Sequence, residues 1–321
     1  MPSLTKIAAL LLAALLPGLA IAQSSIEDFV KRPGYGQVRI SPDGKHLALI
    51  SDRGDQDVLT VVRTADLKPI KVNILPNEKS IGQFYWISNE RLLFNAVRKM
   101  GGYAQPFMTG EWFAVNADGS QATPVIFYGT RTAAERSKTV GSEVFSLLDP
   151  LLDDPRNVIM QSRFPRSSEG AGTQAVRVDT ISGRRVVLAT APKANCSISL
   201  DAAKEPRFAV CSSSRNEEGE FEERTELYKR DGLSWQLVNA SRSEGKHLWV
   251  VRTTPQGRIY ALQSDDKPGA VGTLDPDTGE FSELFRDEVA EISNYMWSTD
   301  ESTLLAVTTS ATVPRVTMVD E

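Results

Sequence analysis

The sequence predicts an all-β structure, namely a β-propeller of four-stranded antiparallel blades, five complete and a partial sixth, after a signal peptide. Three observations support this prediction. A short turn that opens into an apolar, β-rich run recurs six times, and a second hairpin turn follows most of these runs. No apolar pattern with the 3.6-residue period of a helix persists beyond the first 22 residues.

The recurring turn joins strand A to strand B of each unit. Its starts at residues 41, 88, 153, 201, 255 and 298 lie 47, 65, 48, 54 and 43 residues apart, a spacing typical of propeller blades. The six turns are Ser41–Gly44, Ser88–Glu90, Asp153–Pro155, Asp201–Ala203, Pro255–Gly257 and Ser298–Asp300.

A second turn joins strand C to strand D in the first five units. Asp-Gly and Pro-Asp-Gly sequences supply the positive φ angles that a tight hairpin requires. A four-stranded sheet cannot bury both faces alone, and radial stacking of such sheets around a channel solves this problem. The sixth unit is partial, because Arg315–Val319 still has the pattern of strand C where the sequence stops. Clear second turns are Asn116–Gly119, Asp179–Gly183, Asp231–Gly232 and Asp275–Gly279.

The first 22 residues have the pattern of a secretory signal peptide. Lys6 is their only charge, an apolar run follows to Ala22, and Ala20 and Ala22 are small residues at the expected cleavage site. A membrane anchor is the alternative, but Pro17-Gly18 interrupts the run, which is shorter than the roughly 20 apolar residues of a span. We expect a periplasmic or secreted protein without membrane contact after cleavage, with a leader at 23–36 and the propeller at 37–321.

The composition excludes several functional classes. The chain has 321 residues, 41% of them hydrophobic, which is enough for a large core. With 36 Lys+Arg against 41 Asp+Glu, the net charge of −5 gives no basic surface for nucleic acid. Two His and two Cys are too few for most zinc frameworks or for an iron–sulfur cluster, so we predict no metal and no cofactor.

Several segments resemble secreted bacterial peptidases of the prolyl oligopeptidase family, which includes dipeptidyl and acylaminoacyl peptidases. They are Ile26–Pro33, Val38–Ala48 with its Ser-Pro-Asp-Gly turn, Trp86–Asn95 and Gly110–Ser120. The resemblance implies an N-terminal propeller, often seven-bladed, that is paired with a C-terminal α/β-hydrolase domain holding the catalytic Ser, Asp and His.

The chain departs from that pattern in its catalytic residues. A Gly-x-Ser-x-Gly elbow does not occur, and the nearest segment, Gly232–Gln236, lacks the second glycine. His46 follows a hairpin turn and His247 begins an apolar run, so both are predicted to be ordinary strand residues. We therefore assign no catalytic residue and expect the chain alone to be inactive.

Two functions remain open at this point. The first is the substrate-gating propeller of a secreted serine peptidase, with a peptide substrate or a separate α/β-hydrolase domain as its partner. The second is a stand-alone periplasmic propeller that serves as a protein-interaction or ligand-binding platform. The sequence stops within a blade, which favours the first.

Two acidic clusters are candidate binding sites. Dipeptidyl peptidases of the resembled family hold the substrate's ammonium group with propeller carboxylates, so the resemblance suggests Glu217 and Glu218 as substrate-binding residues. Nothing around this run matches their motif, however, and a charge run of this kind favours a solvated loop. Asp52, Asp55 and Asp57 could offer oxygen ligands to calcium, but they lack the spacing of an EF-hand loop, and a solvated turn is favoured.

The two cysteines lie on either side of the turn in the fourth unit. Strands A and B would bring Cys196 and Cys211 roughly level, and export favours a disulfide between them. The alternative is two buried thiols on opposite faces of the sheet, since a shift of one residue reverses a side chain.

Loop lengths indicate which face of the propeller binds. In an up-and-down sheet the A–B and C–D turns emerge on one face, and the B–C and D–A connections emerge on the other. The longest connections belong to the second class, so we expect binding there. They are Arg98–Gly110, Gly129–Ser146, Phe164–Thr173 and Ser212–Arg224.

Overall fold

The protein is described from a computed structural model, which places residues 34–100, 105–127, 143–163, 172–215 and 221–319. The chain divides into two units, Met1–Gly34 and Tyr35–Glu321, and every described strand belongs to the second. The signal peptide at 1–22 and nearly all of the leader at 23–36 lie outside the described residues, so both stay predictions. The first strand begins at Tyr35.

The described residues form six antiparallel sheets in chain order, five of four strands and a last one of three, which confirms the predicted fold class. The first sheet contains β1 (Tyr35–Ile40), β2 (His46–Asp52), β3 (Asp57–Arg63) and β4 (Pro69–Asn73). The second contains β5 (Ser80–Trp86), β6 (Arg91–Arg98), β7 (Phe107–Asn116) and β8 (Thr123–Ile126). The third contains β9 (Val144–Asp149), β10 (Asn157–Arg163), β11 (Gln174–Asp179) and β12 (Arg185–Thr190).

The fourth sheet contains β13 (Cys196–Leu200), β14 (Pro206–Arg215), β15 (Phe221–Asp231) and β16 (Ser234–Ala240). A short helix, α1 (Ser241–Glu244), leads into the fifth sheet of β17 (His247–Thr253), β18 (Ile259–Ser264), β19 (Ala270–Leu274) and β20 (Phe281–Arg286). The sixth contains β21 (Ile292–Trp297), β22 (Leu304–Ser310) and β23 (Pro314–Met318). In the part of the chain that the structure describes, no helix is both long and apolar enough to cross a membrane.

Each strand pairs with its neighbours in sequence, so the sheets are simple meanders. All six predicted A–B turns fall between the first two strands of a sheet. We call the side with the A–B and C–D turns the A–B face, and the side with the B–C and D–A connections the B–C face. The predicted C–D turn of the first sheet has no clear sequence motif, because Leu67 supplies its positive φ of 54° in place of glycine.

Five hydrophobic clusters join successive sheets, because side chains alternate between the two faces of each strand. In β14, Phe208 and Val210 pack against the fifth sheet, while Ala209 and Cys211 pack against the third. The other clusters join the first sheet to the second, the second to the third, and the fifth to the sixth. Sheet-on-sheet packing in this order is the core of a propeller.

Tryptophan side chains add hydrogen bonds between sheets. The indole N–H groups of Trp86, Trp112 and Trp235 donate to backbone carbonyls of an adjacent sheet at 3.1, 3.2 and 2.8 Å respectively. A buried indole N–H needs an acceptor, and each acceptor here also fixes the distance between two sheets.

Candidate functional site

The inner ends of the third to sixth sheets surround a cavity of about 870 Å³ on the A–B face, which we call the central cavity. Its walls include residues of β9, β13 and β17, the first strands of three successive sheets. The first strands of these three sheets therefore border one shared space. Its charged lining residues are Asp149, Asp153, Asp154, Arg177, Asp201, Lys204, Arg252 and Glu301.

The A–B turns that line the cavity are shaped by their acidic residues. The Asp149 carboxylate accepts the backbone N–H of Leu151, which has a positive φ of 49°. The Asp154 carboxylate accepts the backbone N–H groups of Arg156 and Asn157. Burial raises the pKa of Asp154, but these bonds and the Asn157 side-chain amide outweigh burial and hold the pKa below its usual value.

Two ion pairs cross between sheets at this cavity. Lys204 Nζ lies 2.9 Å from an Asp149 oxygen and joins the fourth sheet to the third. Arg252 Nη1 lies 3.0 Å from a Glu301 oxygen and joins the fifth sheet to the sixth. The Arg252 guanidinium also lies 4.6 Å from the ring centre of Trp297. Exposed pairs like these contribute up to about 1 kcal/mol each, so they mainly fix the shape of the cavity.

The cavity has an excess of negative charge. Its lining has five carboxylates and three cationic side chains, an excess of 5 − 3 = 2. The ion pairs occupy Asp149 and Glu301, which leaves Asp153 and the turn aspartates Asp154 and Asp201 outside these two pairs. Partly enclosed charges of one sign raise the local concentration of oppositely charged ligands. Chemically, the cavity suits a cationic ligand better than an anionic one.

Loop lengths predicted binding on the B–C face, which lies opposite the face on which the central cavity opens. The central cavity and a second cavity of about 840 Å³ between the fourth and fifth sheets both open on the A–B face. Most of the long connections on the B–C face, including Glu217 and Glu218, lie outside the described residues. The assignment of these glutamates to substrate binding therefore stays a prediction.

The acidic β2–β3 turn of the first sheet binds the side chain of Lys99. Lys99 Nζ lies 2.7 Å from an Asp57 oxygen and 3.6 Å from an Asp52 oxygen, and it also donates to the Gly54 carbonyl. These contacts join the β2–β3 turn to the second sheet and pair two of the three aspartates, Asp52 and Asp57, with a cation. Among the described residues, no group of three or more His, Cys, Asp or Glu side chains is arranged to hold a metal ion.

The two histidines lie at the starts of strands in different sheets. His46 begins β2 and its ring centre lies 6.1 Å from that of Trp86. His247 begins β17, stacks on Trp249 at 5.7 Å, and places Nδ1 3.0 Å from Thr225 Oγ1. The His46–Trp86 contact joins the first sheet to the second, and the His247–Thr225 contact joins the fifth sheet to the fourth.

The fourth sheet pairs Cys196 directly with Cys211, and their Sγ atoms are joined in a disulfide. The bond links β13 to β14, and both residues are buried against the third sheet. The turn between these strands belongs to the wall of the central cavity. The disulfide joins the two strands at the other end of the hairpin, away from this turn.

No family model and no curated protein matches the chain, but several solved structures do. A prolyl endopeptidase structure matches with a TM-score of 0.51 and 14% identity, over 88% of this chain and 38% of that one. An acylaminoacyl peptidase in complex with Z-Gly-Gly-Phe-chloromethyl ketone matches with a TM-score of 0.52 and 12% identity, over 90% and 44%. The chain is a β-propeller.

A third similar structure comes from another class of enzyme. An oligogalacturonate lyase in complex with manganese matches with a TM-score of 0.52 and 11% identity, over 90% of this chain and 78% of that one. At such identities the likeness establishes the fold. The propeller spans less than half the length of the two peptidases and most of the length of the lyase.

Proposed function

We propose that this propeller is the non-catalytic part of a peptidase of the prolyl oligopeptidase type, and that it controls the access of short peptides to a separate α/β-hydrolase domain. The central cavity is the observation that carries this proposal. Its volume of about 870 Å³ lies within the range of roughly 300–1,000 Å³ that small-ligand sites occupy. The sequence resemblance and the structural likeness to two peptidases support the choice of a peptide as the ligand.

The hydrolase domain would contact the B–C face. The hairpin of β6 and β7 carries exposed apolar side chains at that end, where Met100, Phe107 and Met108 are 51%, 48% and 59% exposed. Exposed apolar groups of this size are suited to a protein interface. Peptides would then enter from the A–B face, through the central cavity, toward the covered face. Secretion through the signal peptide at 1–22 forms part of the same proposal.

A stand-alone binding platform is the second candidate. The match to the oligogalacturonate lyase favours it, since this chain covers 78% of that protein. A fold of this size can therefore make up most of a protein. Such a platform would bind its ligand without any contribution from a hydrolase domain.

Peptide binding tests the first proposal. Short peptides that differ only in a central Lys or Glu should bind differently, with the Lys peptide about threefold to tenfold tighter at low salt. Asp153→Asn combined with Asp201→Asn should reduce this preference, while Glu288→Gln on the B–C face should leave it unchanged. Calorimetric titration measures both affinities. Equal binding of the two peptides, or none, would remove the peptide route through the central cavity.

A second measurement separates the two candidates. A prolyl oligopeptidase-type hydrolase domain, added as a purified protein, should bind the propeller, and Phe107→Ser with Met108→Ser should weaken that binding. Leu233→Ser, at a 93% exposed site in a C–D turn of the opposite face, is the matched control. Peptide binding without hydrolase binding would favour the stand-alone platform.

A further inference from the structure

A third cavity lies between the first and second sheets, and we call it the side cleft. Its volume is about 480 Å³, within the range of roughly 300–1,000 Å³ that small-ligand sites occupy. One side is formed by the end of β4 and the residues that follow it up to Pro76, and the other by Phe94, Phe113–Val115 and the C–D turn of the second sheet. The side cleft shares no lining residue with the central cavity, so a ligand here would need no part of the proposed peptide route.

The wall on the second sheet is aromatic. The rings of Phe94 on β6 and Phe113 on β7 are stacked, with their centres 5.9 Å apart and an angle of 21° between their planes. Val115 lies two residues after Phe113 on the same face of β7 and also lines the cleft. Stacked rings beside an aliphatic side chain are suited to a flat apolar group.

The wall on the first sheet carries two hydrogen-bond donors. Lys71 and Asn73 lie two residues apart on β4, so their side chains point to the same face. Their cross-strand partners Val61 and Leu59 pack against the second sheet, which identifies this face as the one toward the cleft. Among the described residues, the buried Asn73 Nδ2 has no hydrogen-bond acceptor. A buried donor without an acceptor costs stability, and a ligand oxygen in the cleft would supply one.

The charge of the side cleft comes from Lys71, the only charged residue in its lining as far as the structure describes it. The aliphatic stem of Lys71 lies across the C–D turn of the second sheet, where a Cβ on Gly119 would collide with it. The charge of Lys71 reaches Asp118 in the same turn, but that carboxylate accepts the Ser120 backbone N–H at 2.8 Å. In the described part of the chain, Lys71 forms no salt bridge. Unlike the central cavity, the side cleft therefore suits an anion.

We propose that the side cleft binds a small aromatic carboxylate. The ring would lie against Phe113, and the carboxylate would accept hydrogen bonds from Lys71 Nζ and Asn73 Nδ2. Charge favours an anion, because a cationic ligand would meet Lys71 and find no carboxylate in the lining. Size favours a single ring with a short acid chain over a peptide of several residues, since the volume is about 480 Å³ against about 870 Å³ in the central cavity.

A pair of matched ligands tests the predicted chemistry. 3-Phenylpropionate is the probe, and 3-phenylpropionamide, which has nearly the same shape and no charge, is its control. Ligand-observed NMR titrations with the full chain at low salt should give a dissociation constant on the order of 1 mM for the acid. The amide should bind about fivefold more weakly or worse. No saturable binding of the acid, or equal binding of the two ligands, would overturn the proposal.

A charge variant tests the role of Lys71. Lys71→Met removes the ammonium group and keeps a long side chain that can still lie over Gly119. It should weaken binding of the acid by about fivefold to tenfold and leave binding of the amide unchanged. Lys68→Met, at an exposed lysine outside the cleft lining, is the matched control and should bind both ligands as the wild type does. An unaltered preference for the acid in Lys71→Met would contradict the proposal.

A variant that fills the cleft tests the location of the ring. Ala122 is an exposed lining residue in the C–D turn of the second sheet, and Ala122→Trp should weaken binding of the acid by about tenfold. Ala65→Trp, at an exposed position in the C–D turn of the first sheet, is the control and should leave binding unchanged. Circular dichroism would show that both variants are folded. Unchanged binding in folded Ala122→Trp would overturn the site, and if that variant does not fold, the Lys71→Met result decides.

Discussion

The Arg91 side chain forms hydrogen bonds with two different sheets. It is 4% exposed, and its guanidinium donates to the side chain and carbonyl of Thr180 in the third sheet at 3.1 and 3.0 Å. It also donates to the Asn116 side chain and the Gln121 carbonyl of its own sheet at 2.9 and 3.3 Å. Burial among neutral acceptors lowers its pKa, and the nearby Asp179 charge offsets part of this effect.

Replacement of Arg91 should be costly. Arg91→Met keeps a long apolar stem but leaves four acceptors without their donor, so the free energy of unfolding should fall by about 2–4 kcal/mol. Urea denaturation measures this loss. Arg184→Met, in an exposed turn of the third sheet, is the control and should change stability by less than about 0.5 kcal/mol. If Arg91→Met lowers the free energy of unfolding no more than Arg184→Met does, the buried contacts of Arg91 add no stability.

The role of Arg91 could not be predicted from the sequence. The local pattern places it at the start of a strand, which is correct, but its partner Thr180 lies in the C–D turn of another sheet. The same holds for His46, whose position in β2 was predictable and whose contact with Trp86 was not. Contacts of this kind depend on how sheets pack, and neither periodicity nor turn chemistry carries that information.

The A–B turns were predictable at the scale of the element, because a short polar motif forms each one. Ser41 and Ser298 donate their hydroxyls to Asp43 and Asp300, two residues later, at 2.7 and 2.5 Å. Each serine oxygen also accepts a backbone N–H of the following strand region. These serine hydrogen bonds are the main reason that the pKa of both aspartates falls to about 2.

The lowered pKa values predict acid sensitivity. A carboxyl group whose pKa is lower in the folded state stabilises the fold above its unfolded pKa, and this stabilisation is lost as pH falls through the folded pKa. The melting temperature should therefore fall as the pH is lowered from about 4 to about 2. Asp300→Asn can accept the same bonds without titrating, so its melting temperature should fall less over this range. At pH 7 the variant should be less stable than the wild type, because a neutral amide accepts these hydrogen bonds less strongly than a carboxylate, and the difference should shrink toward pH 2. A constant difference at every pH would contradict the explanation.

The β13–β14 hairpin gives a covalent prediction. The Cys196–Cys211 bond closes a loop with a sequence separation of 15, and loops of that size contribute about 3 kcal/mol by restricting the unfolded chain. Mass spectrometry without reductant should detect the linked peptides. Replacement of both cysteines with serine should lower the free energy of unfolding by about this amount. Alkylation of both thiols in the native oxidised protein would contradict the bond.

At the scale of the whole molecule, the sequence predicts the number and order of the sheets but not the position of the cavity. The period of the turns determines the sheets, because each sheet is one repeat that packs on its neighbours. Loop length pointed to the B–C face, where most of the long connections lie outside the described residues, so that prediction stays untested, while two of the cavities among the described residues open on the A–B face. Cavity position depends on the size and charge of side chains from four sheets, such as Arg252 and Glu301, and loop length does not report these.

Catalysis by the chain alone would need a complete nucleophilic site. A serine attacks an amide when a base takes its proton, an acid orients the base and an oxyanion hole faces the carbonyl. His46 and His247 belong to the first and fifth sheets, and each stacks on its own tryptophan. We therefore expect no hydrolysis of aminoacyl, dipeptidyl or acylaminoacyl amides by the purified protein, measured with chromogenic substrates. Activity that survives His46→Ala and His247→Ala together would point to a contaminant, whereas activity lost in either variant would give that histidine a catalytic role and contradict the structural one.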